Sequence, residues 1–255
     1  MCLILLDWDT REDYLMVVAA NRDEFHQRAS LAADWWVDHT SVYGGRDLEA
    51  NGTWMAINRF GHFAAVTNVR KPAHGGIKSR GALAVDFLTH EAPSAGEYID
   101  SLQKTSNDFD GYNFLAFDGA TAAWFNNVET KSKTITPNVY GLSNASLDTL
   151  WPKVTRIKDG YADISATKDR FKFEQALFAL LADEASAKDE HLPDTGVGLT
   201  LERQLSPIFI EGDTYGTRCS TIYTLSRSGQ ARFLERRFDQ QKKLLGEVCV
   251  EFEIA

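Results

Sequence analysis

Layered antiparallel sheets and helices, an α+β class, are what this sequence of 255 residues predicts. Its strand-like segments come in runs and its helix-like segments come in runs, where a doubly wound parallel sheet would alternate them. Two short links between strand-like segments, Phe60-Gly61 and Asp118-Gly119, carry hairpin chemistry. A content of 44% hydrophobic and 25% charged residues can bury a sizeable core. No internal repeat, low-complexity tract or Pro/Gly/Ser-rich linker divides the chain, so 1–255 reads as a single domain.

Residues 2–6 and 14–20 are apolar runs bracketing a polar turn, the pattern of paired strands. Residues 53–58 and 62–67 form a second hairpin about Phe60-Gly61. Helices are expected over 79–90, where Leu83, Val85, Phe87 and Leu88 follow Gly81 without a breaker, and over 94–104, which opens on the capping residue Ser94. Strands at 113–117 and 122–126 flank Asp118-Gly119, and another follows at 139–142. Helices at 150–161 and 168–185 precede closing strands at 220–225, 231–238 and 247–254. In the last strand Val248, Val250, Phe252 and Ile254 share one face. Cys249 shares the other with Glu247, Glu251 and Glu253, company that raises a thiol pKa and argues against a nucleophile.

The net charge of -9 argues against nucleic acid or an anionic membrane surface, since either needs a basic patch. Met1-Cys2-Leu3-Ile4-Leu5-Leu6 stops at Asp7 with no basic region before it, so it reads as a buried strand rather than a signal peptide. No segment approaches the about 20 apolar residues of a membrane span, and a soluble cytoplasmic protein with a small-molecule ligand or substrate is expected. Three cysteines, Cys2, Cys219 and Cys249, are too few for a disulfide framework and form no C-x-x-C pair. Gly44-Gly45 and Gly75-Gly76 lack the spacing of nucleotide-binding loops. The six histidines show no metal-ligand spacing, so no cofactor is expected and haem enters only as a cargo.

Cys2 has the most distinctive chemistry. Its small side chain favours removal of Met1, which would leave a thiol beside its own α-amine. These titrate at about 8.5 and about 8, so one residue supplies nucleophile and base near neutral pH. The second run leads into Asn21-Arg22-Asp23-Glu24, where alternation puts Asn21 and Asp23 on one face and Arg22 and Glu24 on the other. Asn68 and Asn144 each end a strand-like segment, and a side-chain amide can donate to an oxyanion without adding charge. Arg218 supplies a cation able to lower a thiol pKa or bind a carboxylate or phosphate. Taken singly, each residue has a simpler structural role: a small residue in a buried strand, locally paired charges, turn-forming asparagines, a surface arginine.

Cys2, Asn21-Arg22-Asp23-Glu24-Phe25, Gly44-Gly45-Arg46-Asp47-Leu48, Asn51-Gly52-Thr53-Trp54 and Thr67-Asn68-Val69-Arg70 occur in this order. Ser79-Arg80-Gly81, Gly141-Leu142-Ser143-Asn144-Ala145, Trp151-Pro152-Lys153 and Tyr215-Gly216-Thr217-Arg218 continue the series over nearly the whole chain. Together they resemble the NRDE family, also called the transport-and-Golgi-organisation protein 2 family. The resemblance implies an N-terminal-nucleophile-hydrolase-like fold, a four-layer αββα sandwich with mostly antiparallel sheets. More distantly the chain looks like the bile-salt hydrolases and penicillin V acylases. These use an N-terminal cysteine, an aspartate on the second strand and asparagines near an oxyanion hole. By position that likeness assigns Cys2, Asp23, Asn68 and Asn144 to these roles and Arg218 to a late arginine. Asn21, Arg22, Trp54 and Arg70, in the same motifs, become candidates for binding substrate. The acylases carry an arginine three residues before the aspartate, where this chain has Ala20. Against the family's own pattern, Ala29 and Leu150 stand where proline is usual or common, and Cys219 where serine is frequent.

Two functions from different classes follow from the resemblance. One is a cysteine-dependent amidohydrolase or acyltransferase acting on a C–N amide or thioester bond of a small molecule. There Cys2 attacks the carbonyl, its amine moves the proton, Asn68 or Asn144 holds the oxyanion and Asp23 orients the amine. The other is a non-catalytic carrier or trafficking protein for haem, acyl chains or a coenzyme A derivative. In that case tryptophans such as Trp35, Trp36 and Trp54 would line an apolar cleft.

Overall fold

The computed structural model describes residues 3–71, 75–89 and 94–254. The opening apolar runs pair antiparallel as β1 (Leu3–Trp8) and β2 (Tyr14–Phe25). β2 continues through Asn21, Arg22 and Asp23, all buried, so these polar residues lie inside the strand. Four strands follow: β3 (Ser30–Trp35), β4 (Val42–Asp47), β5 (Met55–Asn58) and β6 (Phe63–Asn68). Helices α1 (Gly81–Thr89) and α2 (Ala95–Thr105) come next, and Ser94 and Glu97 close α2 with a reciprocal capping box. β7 (Tyr112–Phe117) and β8 (Ala122–Asn126) form the hairpin about Gly119, whose φ of 97° suits a residue without a Cβ. β9 (Lys131–Ile135), β10 (Asn138–Leu142), α3 (Pro152–Ile164), α4 (Arg170–Leu181) and the short α5 (Leu199–Gln204) lead to the closing strands. These are β11 (Tyr215–Ser226), β12 (Gln230–Phe238) and β13 (Leu244–Glu253).

Among the described residues the strands form two antiparallel sheets, in the orders β10-β1-β2-β11-β12-β13 and β3-β4-β5-β6-β7-β8-β9. Leu3, Leu5, Val17 and Ala19 face α3 and α4, packing on Ile157, Tyr161 and Phe173. Ile4, Leu6, Met16 and Val18 face the opposite way, into the space between the sheets. β1 and β2 are therefore apolar on both sides, the reason they read as continuous runs. On the second sheet Ala64, Val66, Phe114 and Phe125 pack under Leu83, Phe87 and Ile99 of α1 and α2. Ring pairs join the sheets: Trp8 meets Phe117 at 5.1 Å between centroids, and Phe63 stacks on Tyr223 at 5.6 Å. The layers run α, β, β, α, as the resemblance implied.

Three strands escape sequence reasoning for identifiable reasons. β3 is broken by a register shift between Leu31 and Asp34, which spoils its alternation. β4 contains Gly44-Gly45, ordinarily turn residues. Here a Cβ on Gly44 would strike Ala56, and one on Gly45 would overlap the Trp54 ring. β9 is short and polar, with only Ile135 buried. Among the described residues, no helix is long and apolar enough to cross a membrane.

Candidate functional site

β1 starts between two strands, beside the end of β10 and four residues before the end of β2. Leu3 pairs with Asn21 of β2, and Ile4 pairs with Leu142, the last residue of β10. From Leu142 the chain runs into Ser143 and Asn144. Asn68, at the end of β6, meets this edge from the other sheet: Asn144 Nδ2 donates to its backbone oxygen at 2.9 Å. Thr67 Oγ1 donates to Ser143 O at 2.8 Å, and Asn113 Nδ2 donates to Thr67 Oγ1 at 3.0 Å and Ala145 O at 2.9 Å. This buried polar network fixes the loop after β10 against the second sheet.

A cleft with two lobes opens at this edge. The wide lobe, about 750 Å³, takes in Asn68, Arg70, Arg80 and Asn144 beside an apolar wall that includes Phe25, Val197 and Leu201. The small lobe, about 90 Å³, is polar and is lined by Arg22, Glu24, Arg28, Asp47, Trp54 and Asn68 among others. Asn68 and Arg80 line both.

The sequence-derived site residues separate as follows. Asn68, Asn144 and Arg70 line the wide lobe, with Arg70 Nη1 donating to Glu202 Oε2 at 2.6 Å and its guanidinium 4.9 Å from the Trp151 ring. Arg22 and Trp54 line the small lobe together, the Arg22 guanidinium 4.3 Å over the indole. Asp23 faces away from Arg22, as alternation requires, and its Oδ1 accepts from Thr217 Oγ1 at 2.6 Å. Asn21 lines neither lobe. Its Nδ2 donates to Leu181 O and Ile208 O, both at 2.8 Å, and its Oδ1 accepts from Ser220 Oγ at 2.6 Å, fastening β2 to the end of α4. Arg218 is the extra residue where the β2–β11 register shifts between Thr217 and Cys219. Its Nη1 donates to the carbonyls of Phe25 and His26 at 2.9 Å and of Arg28 at 3.2 Å, a clamp on the turn after β2. Burial, with Arg22 and Arg237 nearby, holds its guanidinium below the usual arginine range. Cys2 lies outside the described residues.

Residues that sequence reasoning did not single out also shape the cleft. Arg80 reaches it because Gly52 and Gly81 approach so closely that a Cβ on Gly52 would strike the Gly81 backbone. The paired glycines in Asn51-Gly52 and Arg80-Gly81 were the available signal. Thr217 and Asn113 gave none, because their partners lie 194 and 46 residues away. The two described thiols are poor nucleophiles: burial pushes Cys219 far up, and burial with Glu174, Glu251 and Glu247 nearby pushes Cys249 up. Of the company expected for Cys249, Glu247 and Glu251 act on it, joined by Glu174 from α4 and opposed by Arg232.

Comparison with known proteins agrees with this architecture. The family model for Transport and Golgi organisation 2 matches residues 1–240. The mouse Transport and Golgi organization 2 homolog is 30% identical over 257 residues, with 92% of each chain covered. The human homolog is 31% identical at the same coverage. Among solved structures, the Caenorhabditis elegans N-acylethanolamine-hydrolyzing acid amidase ortholog superposes with a TM-score of 0.50 and 9% identity. That superposition covers 87% of this chain and 92% of the other, a likeness of fold alone. The αββα sandwich is of the N-terminal-nucleophile hydrolase type.

Proposed function

The chain belongs to the Transport and Golgi organisation 2 family, and on that footing we propose that it is a cysteine-dependent hydrolase or acyltransferase opening an amide or thioester bond of a small molecule. One observation supports the reading: at the start of β1, Leu3 pairs with Asn21, two residues before Asp23 in β2, and Ile4 pairs with Leu142, from which the chain runs to the Asn144 that bonds Asn68 at the cleft. Cys2 is one peptide bond from Leu3, the first residue of that edge. The amidase with the similar fold is named for amide hydrolysis, which fits the reaction class.

In this reading the Cys2 sulfur attacks the carbonyl carbon, and its proton passes to the α-amine exposed by loss of Met1. The carbonyl π pair moves to oxygen, where side-chain amides of Asn68 and Asn144 donate to the developing charge. Collapse breaks the C–N or C–S bond, the ammonium returns the proton to the leaving group, and water or another acceptor releases the acyl group from sulfur. Asp23, held by Thr217, orients the ammonium. Incubation with a panel of acyl amides and thioesters, followed by mass analysis of the N-terminal peptide, tests the scheme. The expected results are a chain lacking Met1, an acyl adduct on Cys2, and loss of turnover in Cys2→Ala; undiminished turnover in that variant rules it out.

A carrier would use the same apolar wall of the wide lobe. It would keep ligand binding in Cys2→Ala and form no adduct in either chain.

A further inference from the structure

Arg22 is a buried cation whose neighbours leave part of it unused. It is 2% exposed, yet its Nη1 has no hydrogen-bond partner. Nη2 stands 3.5 Å from Asp47 Oδ2, too far for a hydrogen bond. That carboxylate is already committed. Arg28 Nε donates to Oδ2 at 2.6 Å and Nη2 to Oδ1 at 3.3 Å, and the Glu49 and Ala50 N–H groups donate to Oδ1 at 3.0 Å. Burying a charge with incomplete compensation is strongly unfavourable, so a second anion at Arg22 would supply what the protein does not.

The small lobe has the size and charge for such an anion. It carries three guanidinium groups, Arg22, Arg28 and Arg80, against two carboxylates, Glu24 and Asp47. Arg28 lies among carboxylates, 2.6 Å from Asp47, 3.2 Å from Glu49 and 4.0 Å from Glu24, so its charge is spent on its own side of the lobe and Arg22 is the cation left to an anion. The Trp54 ring under Arg22 holds the guanidinium plane, and Gly45 is what lets that ring lie flat. The lobe is small, about 90 Å³, and polar, and it has room for a group the size of a carboxylate. Asn68 and Arg80 stand at the wall shared with the wide lobe, so an anion here would be joined to a ligand body there.

We infer that the small lobe is a carboxylate-binding subsite with Arg22 as its principal donor, and that the ligand is an acidic small molecule whose body fills the wide lobe. On the hydrolase reading, on which the scissile bond depends, the substrate is an amide or thioester carrying a carboxylate close to the reacting carbonyl.

Thermal unfolding of the full chain in acetate or in acetamide, its neutral isostere, at fixed ionic strength tests the subsite. Acetate should raise the midpoint in a saturable way while acetamide does not. Arg22→Gln, checked for folding by circular dichroism, should need about tenfold more acetate, the equivalent of one charge-assisted hydrogen bond. Equal responses to acetate and acetamide, or an unchanged acetate response in Arg22→Gln, would overturn the subsite. Should Arg22→Gln not fold, the acetate-against-acetamide comparison on the unaltered chain decides alone. Turnover lost in Cys2→Ala with no acetate effect removes the subsite and keeps the hydrolase reading. An acetate effect with turnover intact in Cys2→Ala does the reverse.

Discussion

Asn144 Nδ2 donates to the backbone oxygen of Asn68 at 2.9 Å, and this bond joins the loop after β10 in one sheet to the end of β6 in the other. The Arg70 N–H answers it by donating to Asn144 O at 2.7 Å. The two asparagines thus form one unit, and the sheets cannot slide at this edge without breaking both bonds.

Asn113 holds that unit from beneath, donating to Thr67 and Ala145 and accepting from Asn126 Nδ2 at 2.9 Å and Trp124 Nε1 at 3.2 Å. Asn113→Leu keeps the branching at Cγ, removes every hydrogen bond and strands these partners in a buried site. It should cost about 2–4 kcal/mol, read as a lower urea midpoint at unchanged slope. A change below about 1 kcal/mol would show that the network does not secure the loop.

Gly45→Ala drives a methyl into the space of the Trp54 ring, and no flexible side-chain end is available to yield. Destabilisation of about 1–3 kcal/mol is expected, with a shift of tryptophan fluorescence as the indole leaves Arg22. Full stability with unaltered emission would contradict the packing described between β4 and Trp54.

Asp47 should make the chain acid-sensitive. Burial pushes its carboxyl up, but Arg28 and the N–H groups of Ala50 and Glu49 outweigh this and hold it below the usual carboxylate range. A lowered folded-state value contributes stability above the unfolded value of about 4 and loses it as pH falls through the folded one. Asp47→Asn should therefore flatten the stability profile below about pH 4. A slope there equal to the unaltered chain's would exclude Asp47 as its source.

Glu235 has the opposite sign. Burial between the sheets raises its carboxyl, while the Ala33 N–H donor, Arg237, the Cys219 contact and Arg22 draw it part of the way back. Oε1 accepts from Ala33 N at 2.9 Å and Oε2 has no partner. A raised folded-state value favours folding below the unfolded value of about 4.3, an advantage lost as pH rises through the folded one. Glu235→Gln keeps the acceptor and removes the charge, so its melting midpoint should exceed the parent's at neutral pH and converge on it in acid. A variant less stable at neutral pH would show that the carboxylate is needed there.

Much of this was legible residue by residue. The two-sided apolar runs of β1 and β2, the Ser94 cap and the Asp118-Gly119 turn are local devices, and each stands where its pattern places it. Asn68 and Asn144 were marked by ending strands, and they do meet at the cleft. Asn21 and Arg218 carried equal promise but are spent on the carbonyls of Leu181 and Ile208, and of Phe25, His26 and Arg28. A polar side chain at a strand end looks the same whether it serves a ligand or the chain itself, since its partners come from distant segments.

From its order of residues alone, the chain determined that Asn21 and Asp23 oppose Arg22 and Glu24, because strand alternation is a property of neighbouring peptides. Only the tertiary structure decided what each face meets. Asp23 turns to Thr217, 194 residues along the chain, and Arg22 turns to Trp54 and the small lobe between the sheets. The physical reason is that a pleat sets direction locally, whereas burial, charge compensation and the shape of a cavity depend on which strands and sheets are packed together.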